Sequence, residues 1–419
     1  MNATGARRPY YLAVHLAAHG HRVTVLTTAP TGPPMWSPPL EGITVVYRPR
    51  SVTQRDLGWF QRFITKTHHR APPGLWKRML GFLGDMILPV HHHMRWDVTP
   101  DELEQLCGRS DVVLASGPAW AAVQTAADIA KAWNATFLVD QRDPWNTVIP
   151  GVSLRCLNWH GDGITGYFRS KRMLRLEERI LDQAHGITAA SPAYLQNALT
   201  ISPHDHSLTV LNGMVSPVRT DRKPLKGRFT LFYAGRLYEE QAWQAVIQVF
   251  DDIHVHHPDI ASELQLHVLG GISDTPAIGA ALKACGARTG MIHVVPDVGR
   301  DTLAEVAGKA NLLLSLICEG NTGQIPLKLV DYLSFGRPTL LFGETKGIQH
   351  EILERTCTGI MVKDAPDLKA FLINAVEKWQ AGIDIPYDPD QEALREWSNE
   401  VQVRKWRQWI IDVDRSRRA

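Results

Sequence analysis

The sequence predicts an α/β protein of two Rossmann-like, doubly wound domains. Three observations predict it. The chain has 419 residues, too long for one ordinary core and suited to two domains of about 200 residues each. Short β-branched runs alternate with amphipathic helical stretches, the pattern of parallel sheets. The alternation runs twice, on either side of a basic, proline-containing stretch, PVRTDRKPLKG (217–227). The expected division is 1–215 for an N-terminal domain, 216–395 for a C-terminal domain, and 396–419 for a helix crossing back to the first.

In the first domain, Pro9 suits a first helical turn, and Tyr11, Leu12, Val14, Leu16 and Ala17 give that helix an apolar face. Gly20 ends it, and Val23 to Leu26 form a buried strand. Doubly wound sheets place a strand ahead of such a helix, at the centre of the sheet. No strand precedes this one, and Gly5 sits where the glycine loop after that strand belongs. The expectation is an absent first strand, with Met1 not the biological start or a piece lost. GITVVYRPR (42–50) is the next strand, then DVVLAS (111–116), an Ala-rich helix over 119–133, and ATFLVDQRDPW (135–145), a strand entering a polar loop. A helix over 172–184 leads to GITAAS (186–191).

In the second domain, FTLFYAGRL (229–237) is a strand ending in a Gly turn, followed by a helix to about residue 257. LQLHVLGG (264–271) and MIHVVPDV (291–298) are strands. TLAEVAGKA, NLLLSLI, PLKLVDYLSFG and PTLLFG continue the alternation to residue 343. Ligands of such sheets bind at the carboxyl ends of the strands.

Composition excludes several classes. A net charge of +2 demands no nucleic-acid partner. The five cysteines are scattered without a CxxC pair, which argues against a disulfide framework or zinc site and suits a reducing cytoplasm. No apolar run reaches the ~18 residues of a spanning helix. The stretch 57–97 interleaves Trp59, Phe60, Phe63, Trp76 and Met79 with Arg62, Lys66, Arg70, Lys77 and Arg78. That mixture fits a peripheral contact with anionic lipid on the inner face of a cell membrane. It fits equally well a helical pair packed on the N-domain. His91, His92 and His93 are consecutive, a spacing that does not converge on one metal.

Two segments carry chemistry. In FYAGRL, Gly235 lets backbone approach a ligand, and Arg236 offers a fork of donors that fits a diphosphate. A solvated arginine on a plain turn fits the same letters. In PLKLVDYLSFGRP, Lys328 lies in a first helical turn and Asp331 follows at i+3 on the same face. A helix N-terminus with a lysine makes an anion site, and the carboxylate suits ribose hydroxyls. A solvated Lys–Asp pair is the alternative. The loop Asn321-Thr322-Gly323 adds small residues whose N–H groups suit a phosphate. In RDPW, Asp143 is a candidate to orient an acceptor hydroxyl and Arg142 to meet a phosphate, or the two pin a loop over Trp145. Ser116 and Gly117 follow a strand and open a helix, a second candidate contact on the acceptor side.

The order of these segments resembles the family 4 glycosyltransferases of the GT-B fold, in which two Rossmann-like domains face each other across a cleft. The carriers are Leu12-Ala13, Gly20-His21, Arg142-Asp143-Pro144-Trp145, Asn212-Gly213, Gly235-Arg236, Gly270-Gly271 and Lys328 to Pro338. SGPAWAAVQTA followed by FLVDQRDPW is similar to one bacterial branch that builds surface polysaccharides. The resemblance implies retaining transfer of a hexosyl or N-acetylhexosaminyl group from a nucleotide-diphosphate sugar to a glycan or lipid-linked acceptor, with no cofactor and no metal. It implies a donor site of Gly235, Arg236, Val298, Thr322, Gly323, Lys328, Leu329 and Asp331. Asp143, Arg142, Arg236 and Lys328 then form the catalytic group, with Gly5, Ser116 and Gly117 on the acceptor side. Three positions depart from the family pattern. Gln241 stands where a lysine is usual, Gly323 where a second carboxylate is common, and Asp331 where glutamate is usual. A non-catalytic GT-B homologue that binds nucleotide or scaffolds an assembly is the alternative.

Overall fold

A computed structural model describes residues 6–29, 40–51, 95–117, 120–152, 163–214, 227–270, 275–295, 300–343 and 346–419. The chain forms two compact units. One comprises Met1–Ile149, Leu157–Leu211 and Val403–Ala419; the other comprises Pro150–Cys156 and Asn212–Gln402.

The first unit runs α1 (Arg7–Ala18), β1 (Val23–Thr27), β2 (Ile43–Tyr47), β3 (Arg50–Ser51), β4 (Arg95–Trp96), α2 (Pro100–Cys107), β5 (Val112–Ser116), α3 (Trp120–Trp133), β6 (Thr136–Gln141), α4 (Gly163–Leu181), β7 (Gly186–Ala189), α5 (Pro192–Ile201) and β8 (Ser207–Thr209). Helix starts follow local chemistry. Thr99 and Glu102 close a capping box at α2, with Pro100 as the first helical residue. Ser191 caps α5 ahead of Pro192.

Strands β5-β6-β7-β8 form one parallel sheet, β1-β2 a separate parallel pair, and β3-β4 a short antiparallel pair. Among the described residues no strand joins β1 to β5. The burial pattern matches that break. Every residue of β6 and β7 is buried, whereas all five of β1 and four of five in β5 are only half-buried. Strand β5 still reads with the two-residue period of a covered sheet. Val113 and Ala115 lie with Val123, Phe137, Val139 and Ile180. Val112 and Leu114 lie with Leu12, Leu138, Trp406 and Ile410. Each large apolar side chain fully removed from water contributes roughly 1.5–3 kcal/mol.

Helix α1 is fastened by a charge. Buried Asp140, near the carboxyl end of β6, accepts from Arg8 Nη2 (2.7 Å) and Nε (3.0 Å), from Ser116 Oγ (2.8 Å) and from Thr188 Oγ1 (2.8 Å). Arg8 also donates to the Val210 carbonyl and stacks over Trp406 at 4.4 Å. A buried carboxylate held by so many donors is a lock, because removing its cation would leave an uncompensated charge.

The second unit runs β9 (Phe229–Ala234), α6 (Trp243–His256), α7 (Pro258–Glu263), β10 (Leu264–Leu269), α8 (Pro276–Thr289), β11 (Ile292–Val295), α9 (Arg300–Ala307), β12 (Leu312–Leu316), α10 (Leu327–Ser334), β13 (Thr339–Phe342), α11 (Ile348–Arg355), β14 (Gly359–Val362), α12 (Ala365–Gln380) and α13 (Gln391–Glu396). Its sheet is wholly parallel, in the order β11-β10-β9-β12-β13-β14. That is the doubly wound order, and its direction reverses between β9 and β12. Strand β9 alternates between faces, Leu231 and Tyr233 on one, Phe232 and Ala234 on the other.

The last helix, α14 (Asn399–Arg418), leaves the second unit at Gln402 and supplies Trp406, Ile410 and Val413 to the first unit's core. Its start fixes the meaning of Asn212-Gly213. Met214 N donates to Trp397 O (2.7 Å), and Asn399 N donates to Met214 O (2.9 Å). A Cβ on Gly213 would lie 2.3 Å from Asn399 Cα. Only glycine lets the two segments pass.

Candidate functional site

The switch point of the second unit's sheet lies between β9 and β12, so ligand chemistry is expected at their carboxyl ends. Gly235 follows β9 with φ of +117°, a left-handed value that a side chain resists. Its N–H donates to Leu269 O (3.0 Å), which ends the strand and leaves Gly235 and Arg236 exposed at the tip. Helix α10 follows β12 through the loop 317–326. Its N-cap is Pro326, so Lys328 stands in the first turn, where N–H groups lack intrahelical acceptors.

The structure brings Gly235, Arg236 and Lys328 together through a residue that the sequence did not single out. Lys328 Nζ donates to the Tyr233 hydroxyl (2.6 Å) and lies 4.0 Å from the centre of its ring. The same hydroxyl donates to Arg236 O (2.7 Å). The Lys328 stem passes Gly235 so closely that a Cβ there would touch its Cδ at 3.8 Å. Burial pulls the Lys328 ammonium down from 10.5 to about 7, and burial pushes the Tyr233 hydroxyl well above its ordinary value. The Tyr233 hydroxyl that this cation bonds is a neutral group.

Gln241, where the resemblance leads one to expect lysine, is buried and fully engaged. Its Oε1 accepts from Tyr238 N (3.2 Å) and Trp243 Nε1 (3.0 Å) and lies 3.2 Å from the Tyr233 hydroxyl. Its Nε2 donates to Leu316 O (3.2 Å). The side chain knots β9, β12 and α6 together.

The other candidates fall as follows. Asp331 is half-buried on α10, one turn after Lys328. The Leu329 side chain is in the core, and its N–H donates to Pro326 O (3.0 Å). Gly323 N–H donates to Gly151 O (2.9 Å), and Thr322 O accepts from Ile348 N (3.0 Å). A Cβ on Gly151 or on Gly347 would meet Thr322 at 2.7 Å, so two glycines make room for that loop. Arg337 of the GRP segment is buried and donates to Gly308 O (2.9 Å), a structural tie away from the first turn of α10. Val298 and Gly5 lie outside the described residues, as do 57–94 of the cationic aromatic stretch and His91–His93.

In the first unit, the loop after β6 buries Pro144 and Trp145 and leaves Arg142 and Asp143 half-exposed. Arg142 Nε lies 3.7 Å from Asp143 Oδ2. Burial raises the Asp143 carboxyl, Arg142 draws it down, and Asp140 pushes it up. A carboxyl so placed holds a proton more readily than a free one. Ser116 Oγ is spent on Asp140 (2.8 Å). Gly117 is a packing residue, since a Cβ there would lie 2.7 Å from the Trp145 ring. Among the described residues no group of three or more His, Cys, Asp or Glu is placed to hold a metal ion. None of their helices is long and apolar enough to cross a membrane.

The fold is that of the GT-B glycosyltransferases, two Rossmann-like domains of mainly parallel sheet. A glycosyltransferase from Rickettsia africae is similar over 98% of this chain and 95% of its own, with a TM-score of 0.59 at 14% identity. A sucrose-phosphate synthase from Thermosynechococcus elongatus is similar over 97% and 91%, with a TM-score of 0.56 at 14% identity. A UDP-forming α,α-trehalose-phosphate synthase from Burkholderia xenovorans is similar over 89% and 88%, with a TM-score of 0.56 at 11% identity. No family model matches the sequence, and no curated protein matches it.

Proposed function

We propose that the chain is a glycosyltransferase whose second unit holds a nucleotide-diphosphate sugar. The observation that carries this reading is Lys328, a cation drawn out of water in the first turn of α10, beside the exposed Gly235-Arg236 turn. A partly desolvated ammonium bonded to a neutral hydroxyl gains most from an anion, and a diphosphate supplies one. Arg236 offers the second cation, and Asp331 takes the ribose hydroxyls. Val298, Thr322, Gly323 and the backbone of Leu329 border the donor in this proposal.

The transfer is retaining and metal-independent. The bond from the anomeric carbon to the phosphate oxygen breaks as the acceptor oxygen bonds to the same carbon. The acceptor proton passes to the departing phosphate, whose growing charge Lys328 and Arg236 stabilise. Asp143 orients the acceptor hydroxyl with Arg142 beside it. The acceptor is a glycan or lipid-linked sugar of surface polysaccharide biosynthesis, met at the inner face of the membrane through 57–97. The solved-structure likenesses motivate UDP-sugars as the first donors to try. The test is release of free nucleoside diphosphate from a panel of nucleotide sugars, with Lys328→Ala as control. Release by the native chain and its loss in the variant support the reading.

A second reading, a non-catalytic homologue that binds nucleotide, is favoured by Gln241, whose polar atoms are all used inside the fold. Nucleotide affinity without turnover on any donor would establish it.

A further inference from the structure

Helix α4 carries a buried acid that the donor site does not use. Glu177 is fully buried. Its Oε1 accepts from Gln141 Nε2 (2.8 Å) and its Oε2 from Asn146 Nδ2 (2.7 Å). Gln141 is the last residue of β6 and Asn146 the first after Arg142–Trp145, so one carboxyl grips both ends of that loop. From the other side, Asn197 Nδ2 of α5 donates to Asn146 O (2.7 Å), and Asn197 Oδ1 accepts from Val148 N (2.9 Å). Within the gripped span, the side chains that reach the surface are those of Arg142 and Asp143. We infer that Glu177 is a positioning residue, a clamp that fixes the direction in which the loop presents Arg142 and Asp143.

The chemistry of the clamp needs this residue type. Bridging two amides takes two polar atoms at carboxyl separation, which an apolar side chain lacks. Among the described residues, the side chains that hydrogen-bond Glu177 are the amides of Gln141 and Asn146. Asp140, Arg142 and Asp143 flank them in the chain. Burial pushes the Glu177 carboxyl up from 4.5 to about 8, against the hydrogen bonds from Asn146 and Gln141. Among the described residues, Gln141 Oε1 and Asn146 Oδ1 have no hydrogen-bond partner. A half-turn of either amide presents an oxygen to the protonated acid, so the neutral form also closes the clamp.

The kinetic part of the test rests on the proposed transfer reaction; the exchange part does not. Glu177→Ala is expected to speed amide hydrogen exchange over 142–148 by about tenfold or more, because a grip lost at both loop ends opens it locally. It is expected to lower kcat for nucleoside diphosphate release by a similar factor with donor KM unchanged. Glu177→Gln, whose amide can still bond both partners, restores both. Unchanged exchange over 142–148 in Glu177→Ala overturns the clamp. So does an equal rise in KM, or a Gln variant that restores neither readout. If the native chain turns over no donor, the transfer reading fails and the exchange result alone decides the clamp. Should Glu177→Ala not fold, Asn197→Ala, which frees the far side of the loop, takes its place in the exchange measurement.

Discussion

Donor binding should be coupled to a proton. Lys328 titrates near 7 in the unliganded fold because burial strips water from its ammonium. Its ordinary value is 10.5, so the fold favours the neutral amine. A diphosphate binds the charged form and raises that value again. Above pH 7, binding therefore draws a proton onto Lys328, and affinity falls as pH rises. With half the lysine charged at pH 7 and about a tenth at pH 8, the apparent Kd rises about tenfold between pH 6 and pH 8. Titration calorimetry with a nucleotide sugar, in buffers of different ionisation enthalpy, reads both numbers. Proton uptake is expected to be about 0.1 at pH 6, 0.5 at pH 7 and 0.9 at pH 8. Lys328→Arg, charged throughout, should flatten the profile. A native affinity that stays flat from pH 6 to 8 with no proton uptake would refute the assignment of Lys328 to the diphosphate.

Three further outcomes follow from other parts of the fold. Gln241→Lys should destabilise the second unit, because Tyr238 N and Trp243 Nε1 lose an acceptor that an ammonium cannot supply; at roughly 1–3 kcal/mol for each unsatisfied group, chemical denaturation will detect it. Gly213→Ala should cost about 1–3 kcal/mol by overpacking, read as a lower Tm, since its methyl group meets the Asn399 backbone. Glu177→Gln should raise stability at alkaline pH and leave it unchanged below 4.5, the ordinary value for the acid. The native carboxyl stays protonated up to about 8 in the fold and only to 4.5 when unfolded, so native stability is lost as pH climbs between those values. The gap amounts to roughly 5 kcal/mol at pH 8 and above; equal stability curves across pH 5 to 8 would show that Glu177 is not buried as an acid.

Much of this was legible in the sequence because periodicity reports backbone and burial directly. FTLFYA ends at Gly235, and the α10 pattern starts just before Lys328, so the two landed at neighbouring strand ends in a doubly wound sheet. What escaped depends on tertiary partners. Tyr233 reads as an ordinary strand aromatic until Lys328 is seen against its hydroxyl. Gln241 reads as a missing cation, whereas its one amide ties β9, β12 and α6 together. Glu177 sits in LEERIL beside exposed Glu178 and looks solvated; only the 3.6-residue period with buried Met173 and Ile180 hints that it turns inward. Gly213 and Arg337 were read within family motifs, and both prove to be packing devices.

The central claim is that nucleoside diphosphate binds where Gly235, Arg236 and the first turn of α10 meet. Hydrogen-exchange footprinting with and without UDP and GDP tests it most directly. The account predicts slower exchange in peptides covering 234–238 and 326–331, lost in Lys328→Ala. Protection confined to the first unit, or none with either nucleotide at saturating concentration, would contradict it.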